Sequence, residues 1–113
     1  MYGNFIEQSV LDELVAGIIA IIPKGIASII LYGSVARGTA EWDSDVDIAI
    51  LVDHPFTSEE EDKLLDFVVD MDLKYNKVFS VIDIEHEKFK KWLNAIPFYR
   101  NVEKEGIVLW KAA

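Results

Sequence analysis

The sequence predicts an α+β fold, a small mixed β-sheet packed by helices, on three observations. Apolar residues recur at helical spacing in two long stretches. Short apolar runs, IASIILY, VDIAILV and VFSVIDI, are bounded by glycine, proline or acidic turns and read as strands with buried faces. Pro23, Pro55 and Pro97 all fall between periodic segments, as punctuation inside one domain covering residues 1–113. The order helix, strand, strand, helix, strand, short helices, strand is that of a sheet covered by helices.

Leu11, Leu14, Val15, Ile18, Ile19 and Ile22 place the first helix over about residues 5–21, ended by Pro23 and Gly25. Strands follow at 26–32 and 46–52. The second long helix spans 57–75, with Ser58 and Glu61 in capping-box register and Leu64, Leu65, Phe67, Val68 and Met71 as its apolar stripe. A third strand is expected at 78–84, short helices at 86–94 and 99–104, the latter stopping at Gly106 as a C′ residue, and a closing strand at 107–110.

The 113 residues carry 20 Asp and Glu against 11 Lys and Arg, a net charge of −9, which argues against broad nucleic-acid binding, since that needs many cations on phosphates. At 51% hydrophobic the chain can build a modest core, so a disordered acidic tail is excluded. A domain this small buries a limited fraction of its surface, so a partner subunit or oligomer is expected, with Tyr2, Phe5, Phe98 and Tyr99 as candidate contact residues. The absence of cysteine removes disulfides, thiolate metal sites and a Cys nucleophile. With neither a signal-peptide pattern nor a membrane-length apolar run, a cytoplasmic protein with no membrane contact is expected.

The chemistry concentrates in residues 32–53, YGSVARGTAEWDSDVDIAILVD. Gly33 and Ser34 directly follow a strand, where glycine lets backbone amides approach an anion and the hydroxyl adds a donor. Gly38 and residues 39–44 form a loop into the next strand, whose Asp45 and Asp47, two apart, share a face. Two adjacent carboxylates repel unless a cation holds both ionised, and magnesium takes one or two carboxylates plus the oxygens of a nucleotide's phosphates. Arg37 either contacts phosphate in bidentate fashion or pairs with Asp43 or Glu41. Trp42, an aromatic inside the loop, is a candidate cover for a nucleotide or a partner. His54 and His86 lack metal-ligand spacing, and Trp92 and Trp110 are expected in the core.

Gly-Ser, a spacer of about ten residues and then Asp-x-Asp on the next strand resembles the nucleotidyltransferase superfamily typified by DNA polymerase beta. The fuller run Gly33-Ser34-Val35-Ala36-Arg37-Gly38 with Ser44-Asp45-Val46-Asp47 is similar to its minimal branch, including the MntA-like antitoxins. Pro97 to Asn101 and Glu105 to Ile107 also look typical. The resemblance implies a polymerase-beta-like fold, Mg2+ and ATP, and transfer of AMP to a hydroxyl, with a helical HEPN-type toxin as the partner that carries it. It implies metal ligation by Asp45 and Asp47 and triphosphate binding by Gly33, Ser34 and Arg37. A third carboxylate is expected on a later strand, where Asp83 is the candidate catalytic metal ligand and Glu85 its rival. That assignment requires Val81 and Asp83 to share the face of Asp45 and Asp47. The alternative is a non-catalytic module that binds nucleotide or neutralises its partner by contact. An acidic nucleic-acid mimic would need no such motif.

Overall fold

The computed structural model describes residues 5–113. Tyr2, one of the expected contact residues, lies outside that range. Among the described residues the chain runs α1 (Gln8–Ile21), β1 (Ile26–Tyr32), α2 (Gly33–Arg37), β2 (Val46–Val52), α3 (Ser58–Tyr75), β3 (Phe79–Glu85), α4 (His86–Trp92), α5 (Pro97–Glu105) and β4 (Ile107–Lys111). The four strands form one mixed sheet in the order β3-β2-β1-β4. β1 pairs antiparallel with β2 and with β4, while β2 and β3 are parallel. Such a parallel pair needs a long crossover, which α3 supplies.

Alternation along β2 feeds two cores. Val46, Ile48, Ile50 and Val52 face α1 and α3, where they meet Leu11, Leu14, Ile18, Val68 and Met71. Ala49 and Leu51 face the other way, toward Phe89 of α4 and Val102 of α5. Burial on both faces explains why β1 and β2 read as continuous apolar runs rather than alternating ones. Each fully buried aliphatic side chain contributes roughly 1.5–3 kcal/mol of transfer free energy.

α1 and α3 cross closely because Gly17 has no side chain: a Cβ there would run into the Phe67 ring. Across the same interface Glu13 accepts hydrogen bonds from Tyr75 and from Lys74, at 2.9 Å for the closer Lys74 contact. These bonds hold the Glu13 carboxyl below its usual range. α3 is capped by Thr57, whose side chain accepts from the Glu60 amide while Glu60 accepts from the Thr57 amide. The capping box is thus one residue earlier than the Ser58–Glu61 pairing expected. Ser58 is already helical, and the capping residue must be the extended one outside, here Thr57 at φ −70 and ψ 162.

Gly106 ends α5 as expected but not as a left-handed C′ residue, since its φ is −69. Its need for glycine is steric: a Cβ would strike the Val102 carbonyl and Ile30. Trp92, expected in the core, is 45% exposed, because α4 buries only its Phe89 face. Trp110 does pack, half-buried, against the α1-side core.

Candidate active site

β1 ends at Tyr32, which stands opposite Asp47 in the antiparallel register. The chain must leave the strand there without displacing the Asp47 carboxylate. Gly33 meets both demands: its φ of +77 is in the left-handed region, and any Cβ would collide with Asp47 Oδ2. Glycine directly beside the carboxylate leaves backbone and acid in contact.

From Gly33 the backbone turns into α2, one turn of helix too short for apolar spacing to announce, because five residues show no period. Buried Val35 anchors it, and Gly38, left-handed at φ 77 and ψ 19, stops it by donating its amide to the Ser34 and Val35 carbonyls. A glycine after a short polar-apolar run was the available signal. Beyond it, the Glu41 amide donates to Ser44 Oγ at 2.8 Å and the Ser44 amide to the Glu41 carbonyl at 3.0 Å. That closed turn delivers Asp45 to the start of β2.

Asp45 is exposed just before β2, and Asp47, two residues on, is half-buried inside the strand. Burial pushes the Asp47 carboxyl above the usual aspartate range, and the Asp45 charge pushes it further; the Arg37 guanidinium pulls the other way. The three side chains therefore share one electrostatic neighbourhood. Tyr32, which sequence reasoning passed over although it immediately precedes the Gly-Ser pair, has its hydroxyl raised by burial and by the Asp47 charge. Phe98 of α5 meets the Tyr32 ring edge-on, with centroids 5.5 Å apart, and forms the apolar side wall.

Arg37 Nη1 donates to Glu105 Oε2 at 3.0 Å, tying α2 to α5. Its acidic partner is therefore neither Asp43 nor Glu41. A guanidinium has five donors, so the pairing leaves others available to an anion.

Asp83 borders the same depression as Asp45 but is not brought to the face of Asp47. β3 pairs Asp47 with Ser80 and Ile50 with Asp83, and paired residues of parallel strands share a face. Ser80, Ile82 and Ile84 thus stand on the Asp47 side, while Val81 and Asp83 face α3, contrary to the register that the catalytic assignment required. A shift of one residue inverts every side chain of a strand, and the alternation within VFSVIDI is equally consistent with either face. Glu85 shares the face of Asp83 and lies 3.9 Å from Lys88. The side chain beside Asp47 is Ser80, a residue with no carboxylate to offer. Accordingly, no group of three or more His, Asp or Glu side chains suited to a metal gathers among the described residues. Asp45 and Asp47 alone fit a cation, since a repelling pair is relieved by one and magnesium asks for no more than two protein carboxylates.

Trp42 is 89% exposed and lies beside Asp72, Asn76 and Val78, away from the Tyr32–Phe98 wall.

A four-stranded mixed sheet with this strand order, a glycine-serine turn and a paired acid on the next strand defines a nucleotidyltransferase. The chain belongs to the nucleotidyltransferase domain family, whose model matches residues 15–108. It is 36% identical over 104 residues to MJ0604 of Methanocaldococcus jannaschii, a protein named as a protein adenylyltransferase, covering 92% of this chain and 98% of that one. Among solved structures, a toxin-antitoxin MntA-HpeT mutant superposes with a TM-score of 0.64 at 18% identity, over 95% of this chain and 75% of that one. A toxin-antitoxin crystal structure with AMP-PNP superposes with a TM-score of 0.61 at 18% identity, over 89% and 73% respectively. At such identities these two matches speak for the fold, and the expected fold class is the one found.

Proposed function

We propose that this nucleotidyltransferase moves AMP from ATP to a hydroxyl of a protein partner and thereby acts as the antitoxin of a HEPN-type toxin. The observation that carries the reading is the contact between Gly33 and the Asp47 carboxylate, with Asp45 and Arg37 in the same electrostatic neighbourhood. It sets an anion-tolerant backbone against a cation-seeking acid pair, which is what a metal-bound triphosphate requires. The adenylyltransferase name of the 36%-identical relative supports the transferred group, and the toxin-antitoxin neighbours support the partner.

In this reading the acceptor oxygen bonds to the α-phosphorus, the bond from that phosphorus to the bridging oxygen breaks, and pyrophosphate leaves as the hydroxyl proton is lost. Asp45 and Asp47 would hold a magnesium ion that accompanies the triphosphate. Magnesium, when bound, neutralises charge on the phosphates and on the departing pyrophosphate. The amides of Gly33 and Ser34 and the Ser34 hydroxyl donate to phosphate oxygens, and the Arg37 donors not engaged by Glu105 reach another. Tyr32, paired across the strands with Asp47, and Phe98 packed edge-on against it give the site an apolar side.

A second reading, a binding module that neutralises its partner by contact, is favoured by one observation: Ser80 stands where a third carboxylate would meet Asp47. Labelled ATP and Mg2+ incubated with the product of the adjacent reading frame separates the two. Transfer predicts a partner heavier by AMP, with matching pyrophosphate release. A neutralised partner of unchanged mass selects the binding module.

A further inference from the structure

Near the described chain ends Phe5 and Tyr99 are half-buried and Phe98, though it packs on Tyr32, is 41% exposed; a further exposed apolar surface is found elsewhere. It lies on the outer side of α3. Leu65 is 63% exposed and Leu73 77%, with Val69 between them at the same spacing of four, so the three form one ridge along the helix. Val78 and Trp42 extend it: Val78 borders one depression with Leu65 and a second with Trp42 and Asp72. None of these side chains belongs to the core, and the first depression reaches Asp45 at its rim.

Charge selects the occupant. Asp62, Asp66 and Asp70 form a second exposed ridge with the same spacing, lying about 60° round the barrel because each stands three residues from Leu65, Val69 or Leu73 at about 3.6 residues per turn. Glu61 and Asp72 flank the apolar ridge on its other side. A second copy of this chain placed across a two-fold axis would set acid against acid. An added strand is opposed by β3 itself, an edge strand among the described residues, whose Asp83 is exposed and whose Glu85 follows two residues on. A ridge of side chains four apart is the surface that interdigitates with another helix.

We infer that the outer face of α3 is a docking surface for a basic amphipathic helix of a second protein, with apolar residues over Leu65, Val69 and Leu73 and Lys or Arg over the flanking carboxylates. This deepens the partner half of the proposed function and rests on it for the existence of a protein partner. Docking itself requires neither ATP nor transfer.

The probe is a labelled 18-residue helical peptide with a leucine seam and lysine flanks, and its twin with glutamate flanks, read by fluorescence anisotropy. The wild-type chain is expected to bind the lysine peptide, weakening as salt rises, and to ignore the glutamate peptide. Leu65→Ser with Leu73→Ser should weaken binding at least tenfold. Asp66→Lys with Asp70→Lys should do the same and create affinity for the glutamate peptide, whereas Asp53→Lys with Glu103→Lys, exposed acids elsewhere, should leave binding unchanged. These positions are exposed, so melting curves near wild type accompany each result. Equal binding of both peptides, no binding of either, or equal weakening by the two charge reversals overturns the proposal. So does a wild-type dimer in sedimentation that Leu65→Ser with Leu73→Ser dissolves, because the surface then belongs to a second copy. A chain that docks the lysine peptide yet never transfers AMP fails the enzymatic reading alone.

Discussion

A side chain at position 33 meets two separate obstacles, the left-handed backbone and the Asp47 carboxylate. Gly33→Val should therefore reduce both thermal stability and ATP binding, whereas Ser34→Ala, which removes one hydroxyl, should keep the fold and cost about 1.5–3 kcal/mol of nucleotide affinity. Calorimetric titration with Mg-ATP checks both, and unchanged affinity in the pair removes the phosphate-cradle reading. Asp45→Asn with Asp47→Asn should abolish Mg2+-dependent transfer without unfolding the chain, because like charges are removed. Proton linkage has a definite sign at Asp47. Its carboxyl lies above the ordinary range, so the native state holds the proton more tightly than the unfolded one. The destabilisation is absent below the ordinary aspartate range, develops as pH rises through the raised value, and persists at neutrality. Denaturant titrations across that window should show stability falling with pH in the wild type and a flatter profile in Asp47→Asn. Metal binding needs the ionised form and should fade on acidification at higher pH than for an ordinary aspartate.

Between elements, Gly17 decides how closely α1 and α3 approach. Alanine there gains about 1 kcal/mol of helix propensity but drives a methyl into the Phe67 ring, an overpacking cost of about 1–3 kcal/mol. Gly17→Ala should therefore be neutral to destabilising alone and stabilising when Phe67→Leu makes room, a coupling that a double-mutant cycle in urea measures directly. The elements with strong periodicity, α1, β1, β2 and α3, were legible in the sequence, because apolar spacing reports burial and burial made them. So were the residues of the Gly33–Asp47 cluster, whose spacing reflects a strand end meeting a strand start. What was not legible depends on relations between distant segments. α2 is too short for a period, the Glu105 partner of Arg37 comes from 68 residues away, and the face of Asp83 follows from a parallel register that no single strand encodes. The exposed ridge on α3 escaped because Leu64 and Leu65 look alike in a list of apolar residues, and only packing separates the half-buried one from the exposed one.

For the whole molecule, the sheet order puts the first strand of the chain in the middle, between β2 and β4. Ser28, Ile29, Ile30 and Leu31 pair with Lys111, Trp110, Val108 and Ile107, so β1 has a free edge whenever β4 is missing. A chain ending at Gly106 should retain the Gly33–Asp47 contact, which uses the β1–β2 side, yet melt lower and associate through the bared β1 edge. Light scattering on the truncated chain checks this, and a monodisperse product of wild-type stability would contradict it. The same topology bears on the order of synthesis. β1 and β2 leave the ribosome one after the other and can pair as neighbours, but the strand that covers β1's other edge follows some 75 residues behind, at about 5–20 residues per second a delay of roughly 4–15 seconds. During that interval the nascent chain carries an apolar strand open on one side, so its dependence on chaperones should be greatest just before β4 is made.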